Sequence, residues 1–260
     1  MYKYIIGMPL KAFFLFLMMM LCGLTGYTKD RVDVVAENAP AVVAVNVLRT
    51  DGSTFTGTGF VVTPDGVIAT ARHALENAVV TNITFPTGVV SGQALPVLAH
   101  EEVDVALIRI AARDLDTVQL ADSDLVLPGQ EITVIGNPRR LQNTVSSGLI
   151  SQVRRQADGV LWHQISAPIS PSSSGSPVFN EDGQVISMAV ASYQGDGNQN
   201  LNFAVPSNYI IQMLQRAGYT PPESFGQCDA DDAPRPLWQR FTGHVKLCWQ
   251  SLCRLFSHQD

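Results

Sequence analysis

Between residues 40 and 205 the apolar positions alternate with polar ones or form short β-branched runs, the pattern of half-buried and buried strands. It predicts strands at Ala41–Leu48, Gly57–Thr63, Val67–Thr70, Val79–Phe85, Val103–Ile110, Glu131–Gly136, Thr144–Val153, Val160–Ser166, Pro177–Asn180, Val185–Ala191 and Asn202–Val205. Turn signals separate them, among them Thr63-Pro64-Asp65-Gly66, Phe85-Pro86-Thr87-Gly88, Asp158-Gly159 and Glu181-Asp182-Gly183. The set divides at a connector near 111–130. Many short, regularly punctuated strands in two groups predict an all-β protein of two six-stranded antiparallel β-barrels, the first over about 36–112 and the second over about 128–206. Helical periodicity is confined to Tyr209–Arg216, which Gly218 terminates, and to a C-terminal tail at 237–256.

The ends of the chain differ from this body. Residues 1–29 hold Lys3, Lys11 and Lys29, no acid, and an apolar run from Ala12 to Cys22, the signature of a signal peptide; an uncleaved membrane anchor is the alternative. Residues 30–218 form the expected globular domain, and 219–236 an acidic, Pro-rich linker. In the tail, Trp238, Phe241, Val245, Cys248, Trp249, Leu252, Leu255 and Phe256 recur at helical spacing beside Arg240, Lys246 and Arg254. Such a basic amphipathic helix either docks on the barrels or on another subunit, which the acidic net charge favours, or makes peripheral contact with an anionic membrane.

Composition narrows the function classes. Hydrophobic residues at 46% and charged residues at 15% exclude a disordered chain. The net charge of −6 argues against nucleic acid as a partner, more so without residues 1–29, whose three lysines and no acids move it to −9. An exported chain meets oxidising conditions, so Cys228, Cys248 and Cys253 can pair with one thiol left over, or all three stay reduced. His100 with Glu101 and Glu102 does not have metal-ligand spacing, and His163 reads as a structural histidine.

Three neighbourhoods carry candidate chemistry. His73, in Thr70-Ala71-Arg72-His73-Ala74-Leu75, follows a strand, where a neutral imidazole can act as general base. Asp104, in Glu102-Val103-Asp104-Val105-Ala106-Leu107, heads an apolar strand; a carboxylate there needs a partner, and a histidine ring is one. The third is Ile169-Ser170-Pro171-Ser172-Ser173-Ser174-Gly175-Ser176-Pro177-Val178-Phe179, small residues in a tight turn before a strand, able to converge backbone N–H groups beside a hydroxyl. The chain order His, Asp, Ser is that of double-barrel serine proteases.

Over about residues 36–216 the chain resembles the HtrA/Deg family of trypsin-like serine proteases. The likeness is carried by Gly57-Thr58-Gly59-Phe60-Val61-Val62-Thr63-Pro64-Asp65-Gly66, Asp104-Val105-Ala106-Leu107-Ile108, Leu120-Ala121-Asp122-Ser123-Asp124, Ile135-Gly136-Asn137-Pro138, Val145-Ser146-Ser147-Gly148-Leu149-Ile150 and Asn202-Phe203-Ala204-Val205-Pro206-Ser207-Asn208. The resemblance implies a triad of His73, Asp104 and Ser174, an oxyanion hole from the N–H groups of Ser172, Ser173 and Ser174, and peptide hydrolysis through an acyl-enzyme, with no metal or cofactor. It also implies a specificity pocket from Ala167, Ile169, Met188, Ala189, Val190 and Ala191; without an acid it suits a small or medium apolar side chain. Polypeptides are the implied partners, with oligomers open. Two departures are expected to matter. About 40 residues follow the barrels, too few for the family's PDZ domain, and Ser172 stands where the family has glycine. Ser172 must either accept a strained φ or leave its peptide turned away from the oxyanion, so the alternative is a weak or inactive relative that binds exposed polypeptide as a chaperone or adaptor.

Overall fold

The structure is a computed structural model describing residues 29–137, 143–156, 159–170, 172–193 and 201–220. Apart from Lys29, Tyr219 and Thr220, the residues of the signal-peptide, linker, cysteine and tail expectations lie outside those described. Among those described, no helix is long and apolar enough to cross a membrane.

The chain enters through α1 (Arg31–Asn38), which buries Val34, and a 3-10 turn at Ala39–Ala41. The first sheet comprises β1 (Val42–Arg49), β2 (Thr54–Val61), β3 (Val67–Thr70), β4 (Ala78–Thr84), β5 (Val90–Gln93), β6 (Leu95–Ala99) and β7 (Ala106–Arg109). Its order is β5-β4-β1-β2-β3-β7-β6. The strands at the two ends of this order are separated in the chain by Ala94 alone, whose N–H donates to Thr81 at 2.7 Å. One bent strand thus pairs with β4 on one side and β7 on the other, and the seven segments occupy six positions of a barrel.

The connector adds β8 (Gln119–Leu120) and a 3-10 turn at Ser123–Leu125 that Asp122 caps. The second sheet holds β9 (Glu131–Gly136), β10 (Thr144–Arg155), β11 (Leu161–Ile165), β12 (Ser176–Phe179), β13 (Gln184–Tyr193) and β14 (Leu201–Pro206). Its order is β12-β9-β10-β11-β14-β13-β8, and pairing of β12 with β13 closes six strands into a barrel. The last element, α2 (Ser207–Arg216), buries Ile210, Met213 and Leu214.

The double-barrel expectation holds with three corrections. β8 lies parallel to β13, so the sheets are not wholly antiparallel. The predicted strand at 103–110 begins only at Ala106, because Asp104 is drawn out of the ladder by bonds described below. Strands β5 and β6 and helix α1 were not expected. The two strands are mostly exposed and carry Gly92 and Pro96, and α1 buries only Val34 and Asn38, so neither shows a clean apolar period.

Two apolar clusters form the core. The larger fills the first barrel around Phe60, Ile68, Ile83 and Leu107 and continues through Phe179, Met188 and Val205 to α2. The smaller, around Ile132, Ile150, Ile165 and Ile186, fills the second barrel. The β2–β3 turn shows how tightly the chain is drawn: a β-carbon on Gly66 (φ +100°) would sit 2.4 Å from the Ile110 carbonyl oxygen.

Candidate active site

β3 ends at Thr70, and Ala71, fully buried in extended conformation, leads into a 3-10 turn at Arg72–Leu75. Ala74 is also fully buried, so the small residues hold the turn against the barrel while Arg72 and His73 project from it. Arg72 Nη1 donates to the carbonyls of His100 and Glu101, both at 2.7 Å, and ties down the loop that carries Asp104. In that loop Val103 and Val105 are fully buried, and alternation turns Asp104 between them to the opposite side. Asp104 accepts two hydrogen bonds from one residue: the His73 backbone N–H reaches Oδ1 at 2.9 Å and His73 Nδ1 reaches Oδ2 at 2.5 Å.

The electrostatics follow from this pairing. The bond to Asp104 raises the His73 pKa above the ordinary 6.5, against burial and the charge of Arg49. Burial alone would push Asp104 up, but the His73 ring and backbone N–H, with the positive charges of His73 and Arg72, hold it below the usual carboxylate value. With Nδ1 held by Asp104, the free edge of the His73 ring is Nε2.

The serine turn precedes β12. The Ser173 N–H donates to the Ser170 carbonyl at 3.0 Å, and Ser172 has φ +76°, in the left-handed region that favours glycine. Ser172 therefore takes the strained of the two alternatives left by the sequence. The same bond corrects the three-donor expectation: the Ser173 N–H is committed inside the turn. The Ser172 and Ser174 N–H groups donate to no backbone carbonyl among the described residues. Ser174 Oγ donates to the Val190 carbonyl at 3.3 Å and makes no hydrogen bond to His73. Both turns nevertheless converge on β2. A β-carbon on Gly57 would lie 3.4 Å from the Ser174 carbonyl oxygen and 3.5 Å from Ala74 Cβ, ordinary van der Waals contact, so both turns pack against this point of the strand.

The expected pocket residues do not share one surface. Ala167, Met188 and Ala189 are fully buried, and Val190 nearly so. Along β13, Met188 and Val190 belong to the larger core cluster and Ala189 to the smaller, on opposite faces of the strand. Met188 is thereby removed from a solvent-reached pocket. Ile169 is half-buried, and the strand continues through the backbone of Ala191.

Residues to which the sequence reading gave no role of their own surround the site. The Phe55 ring stands edge-on to His73 at 6.1 Å, with the Arg49 guanidinium 5.0 Å over its face. Thr58 and Thr70 lie fully buried under the serine turn. The alternation of Gly57, Thr58 and Gly59 was the available signal, since glycines flanking a strand threonine mark a close backbone approach. Two other histidines lie elsewhere. His163 is buried with Nδ1 2.5 Å from Ser187 Oγ, and burial lowers its pKa to about 4. His100 Nδ1 accepts the N–H groups of Glu102 and Val103 at 3.2 Å, which turns it toward its own loop.

Comparison with known proteins places this geometry. The family described as a trypsin-like peptidase domain matches residues 57–188, half of the chain. The chain is 37% identical over 173 residues to a probable periplasmic serine endoprotease, DegP-like, of Chlamydia pneumoniae, covering 62% of this chain and 35% of that one. It is 31% identical over 198 residues to the mitochondrial serine protease HTRA2 of Bos taurus, covering 71% and 42%. The chain thus spans roughly a third to two-fifths of the length of these curated relatives. Among solved structures, the HtrA-type protease AlgW with tripeptide superposes with a TM-score of 0.66 at 25% identity, covering 73% of this chain and 65% of that one.

Proposed function

We propose, from the premise that the chain belongs to the trypsin-like peptidase family, that it is a serine endopeptidase with Ser174 as nucleophile, His73 as general base and Asp104 as the group that orients His73. The observation that carries this reading is the double hydrogen bond from His73 to Asp104, beside a serine turn packed on the same strand. In the reaction Ser174 Oγ leaves the Val190 carbonyl, a side-chain rotation, and gives its proton to His73 Nε2 as it attacks the peptide carbonyl. Asp104 stabilises the imidazolium, and the N–H groups of Ser172 and Ser174 stabilise the oxyanion. His73 then protonates the leaving amine, and water repeats the sequence to release the acyl group.

The substrate is unfolded or flexible polypeptide, added along a strand edge, with a small or medium apolar residue before the scissile bond. Ile169 and the strand through Ala191 support that pocket. Export follows from the basic and apolar N-terminal run, and the DegP-like relatives are named periplasmic. A second reading, a weakly active module that binds exposed polypeptide, is favoured by the strained Ser172 and by the bond of Ser174 to Val190. Casein turnover and fluorophosphonate labelling by the wild type and Ser174→Ala separate the two. Labelling and turnover that vanish in the variant support the protease; equal turnover by both overturns it.

A further inference from the structure

We infer that Thr58 is a positioning residue for the oxyanion turn, holding through its hydroxyl a conformation that Ser172 would not keep alone. The inference rests on the protease reading and goes beyond the triad, because Thr58 touches neither the proposed nucleophile's hydroxyl nor the histidine ring.

Thr58 is fully buried in β2, and every polar atom it has is used. Its N–H donates to the Ser174 carbonyl at 2.9 Å, and its own carbonyl accepts from Thr70 Oγ1 at 2.7 Å. Its hydroxyl donates to the Ser172 carbonyl at 2.9 Å and accepts from the Asn137 N–H at 3.0 Å. The last bond matters for direction. An N–H can only donate, so it occupies an oxygen lone pair and leaves the hydroxyl proton for Ser172. Asn137 is itself braced, its Oδ1 accepting the Asn143 N–H at 3.0 Å.

The two carbonyls that Thr58 holds, those of Ser172 and Ser174, flank the peptide between Ser173 and Ser174. That peptide carries the Ser174 N–H, one of the two proposed oxyanion donors. Thr58 thus fixes the peptide planes on both sides of the one that carries this N–H, which restricts how the turn can rearrange around it. Ser172 gives the restraint its purpose. Glycine adopts φ +76° freely, whereas a residue with a β-carbon is pushed out of it, and relaxation of the turn would rotate the donor peptides. Close approach adds to the fit: a β-carbon on Gly175 would lie 2.0 Å from the Thr58 carbonyl oxygen, so the two backbones are in contact.

The test uses the full chain and counts competent nucleophiles by fluorophosphonate titration, so that misfolded protein does not enter kcat. Thr58→Val removes the hydroxyl at nearly constant volume. Loss of a whole oxyanion donor costs about 10²–10³ in rate, and a loosened donor is expected to cost about 10–10² in kcat, with KM nearly unchanged. Thr58→Ser, which keeps the hydroxyl, stays near wild type, and the penalty of Thr58→Val shrinks in a Ser172→Gly background, where the turn no longer needs holding. A purely structural threonine would alter melting temperature without this split or this coupling. A Thr58→Val enzyme with wild-type kcat per titrated site overturns the inference. So does a Thr58→Ser enzyme slowed by about tenfold or more, the lower bound of the expected valine effect, a result that stands even if the valine variant does not fold. Turnover that survives Ser174→Ala overturns the protease reading and this inference with it; turnover that needs Ser174 but ignores the Thr58 hydroxyl overturns the inference alone.

Discussion

At the rim of the first barrel, His73 Nδ1 lies 2.5 Å from a carboxylate oxygen of Asp104; inside the second barrel, His163 Nδ1 lies 2.5 Å from the hydroxyl of Ser187. The contact lengths match and the proton affinities diverge. The carboxylate raises His73, and burial beside a neutral partner takes His163 down to about 4. A proton on His73 gains a counter-charge, whereas a proton on His163 would sit in a barrel core among apolar side chains. Charge of the partner and access to solvent, more than geometry, decide which histidine can shuttle a proton near neutrality. His163, locked in one charge state, is left to structure.

The sharpest way to break this contrast is to remove the charge and keep the shape. Asp104→Asn retains an acceptor for the His73 backbone N–H, but its amide donates to Nδ1 and forces the proton to Nε2, the edge that should face the serine. We expect kcat to fall by about 10⁴ with little change in folding, as measured by peptide hydrolysis alongside thermal melts. Activity within tenfold of wild type would show that the carboxylate charge is not what makes His73 a base.

The next effect is on stability and has opposite sign in the two barrels. His163 has a folded pKa of about 4 against 6.5 for an ordinary histidine, so the unfolded chain binds the proton first. Its contribution is fully present above 6.5 and is lost as pH falls from there to about 4, worth about 3 kcal/mol at 1.36 kcal/mol per unit. His73 has a raised folded pKa, so its contribution is full below 6.5 and is lost as pH rises through the folded value. Urea unfolding from pH 7 to pH 4.5 measures this. His163→Gln should flatten the acid loss relative to wild type, and an unchanged slope would mean that carboxylates alone carry it.

A smaller change tests the neutral pair itself. Ser187 is fully buried, and Ser187→Ala leaves the His163 Nδ1 without its hydroxyl partner in the core. The expected cost is about 1–3 kcal/mol in unfolding free energy, with no change in kcat, because the pair lies outside the proposed reaction. A fall in kcat with intact stability would place the second barrel's histidine in the mechanism.

How much of this could be read beforehand varies with the range of the interaction. β3 and β9 have the bounds that the apolar pattern predicted, because both are short β-branched runs bounded by turns and buried nearly throughout. β5 and β6 were lost because they are mostly exposed and their pairing is set by the bend at Ala94. At the site, residue type and chain order suggested a histidine, a carboxylate and a serine-rich turn, and the structure brings the first two into contact. The bond from Ser174 to Val190, and the bond from Thr58 to a carbonyl 114 residues away, depend on backbone geometry that no local pattern encodes. Ser172 was legible as a conflict, but the left-handed side of that conflict became visible only with its φ.

The subtlest test concerns what surrounds His73 other than Asp104. The Arg49 guanidinium lies over Phe55, donates to the His73 carbonyl at 3.4 Å, and its charge opposes protonation of the ring. Removing the charge should therefore raise the His73 pKa further and move the acid limb of the kcat/KM profile to higher pH. The general base must be neutral to act, so the variant loses activity selectively on the acid side. Arg49→Met keeps the stem packed on Phe55 and drops the charge, while Arg49→Lys restores the charge and separates electrostatics from packing. An acid limb that moves in Arg49→Met and returns in Arg49→Lys shows that the Arg49 charge opposes the carboxylates of Asp104 and Glu76 in the balance around His73. A limb that stays fixed in both removes Arg49 from the balance, leaving Asp104, burial and Glu76 to set it, and sharpens the contrast with His163, whose pKa burial sets.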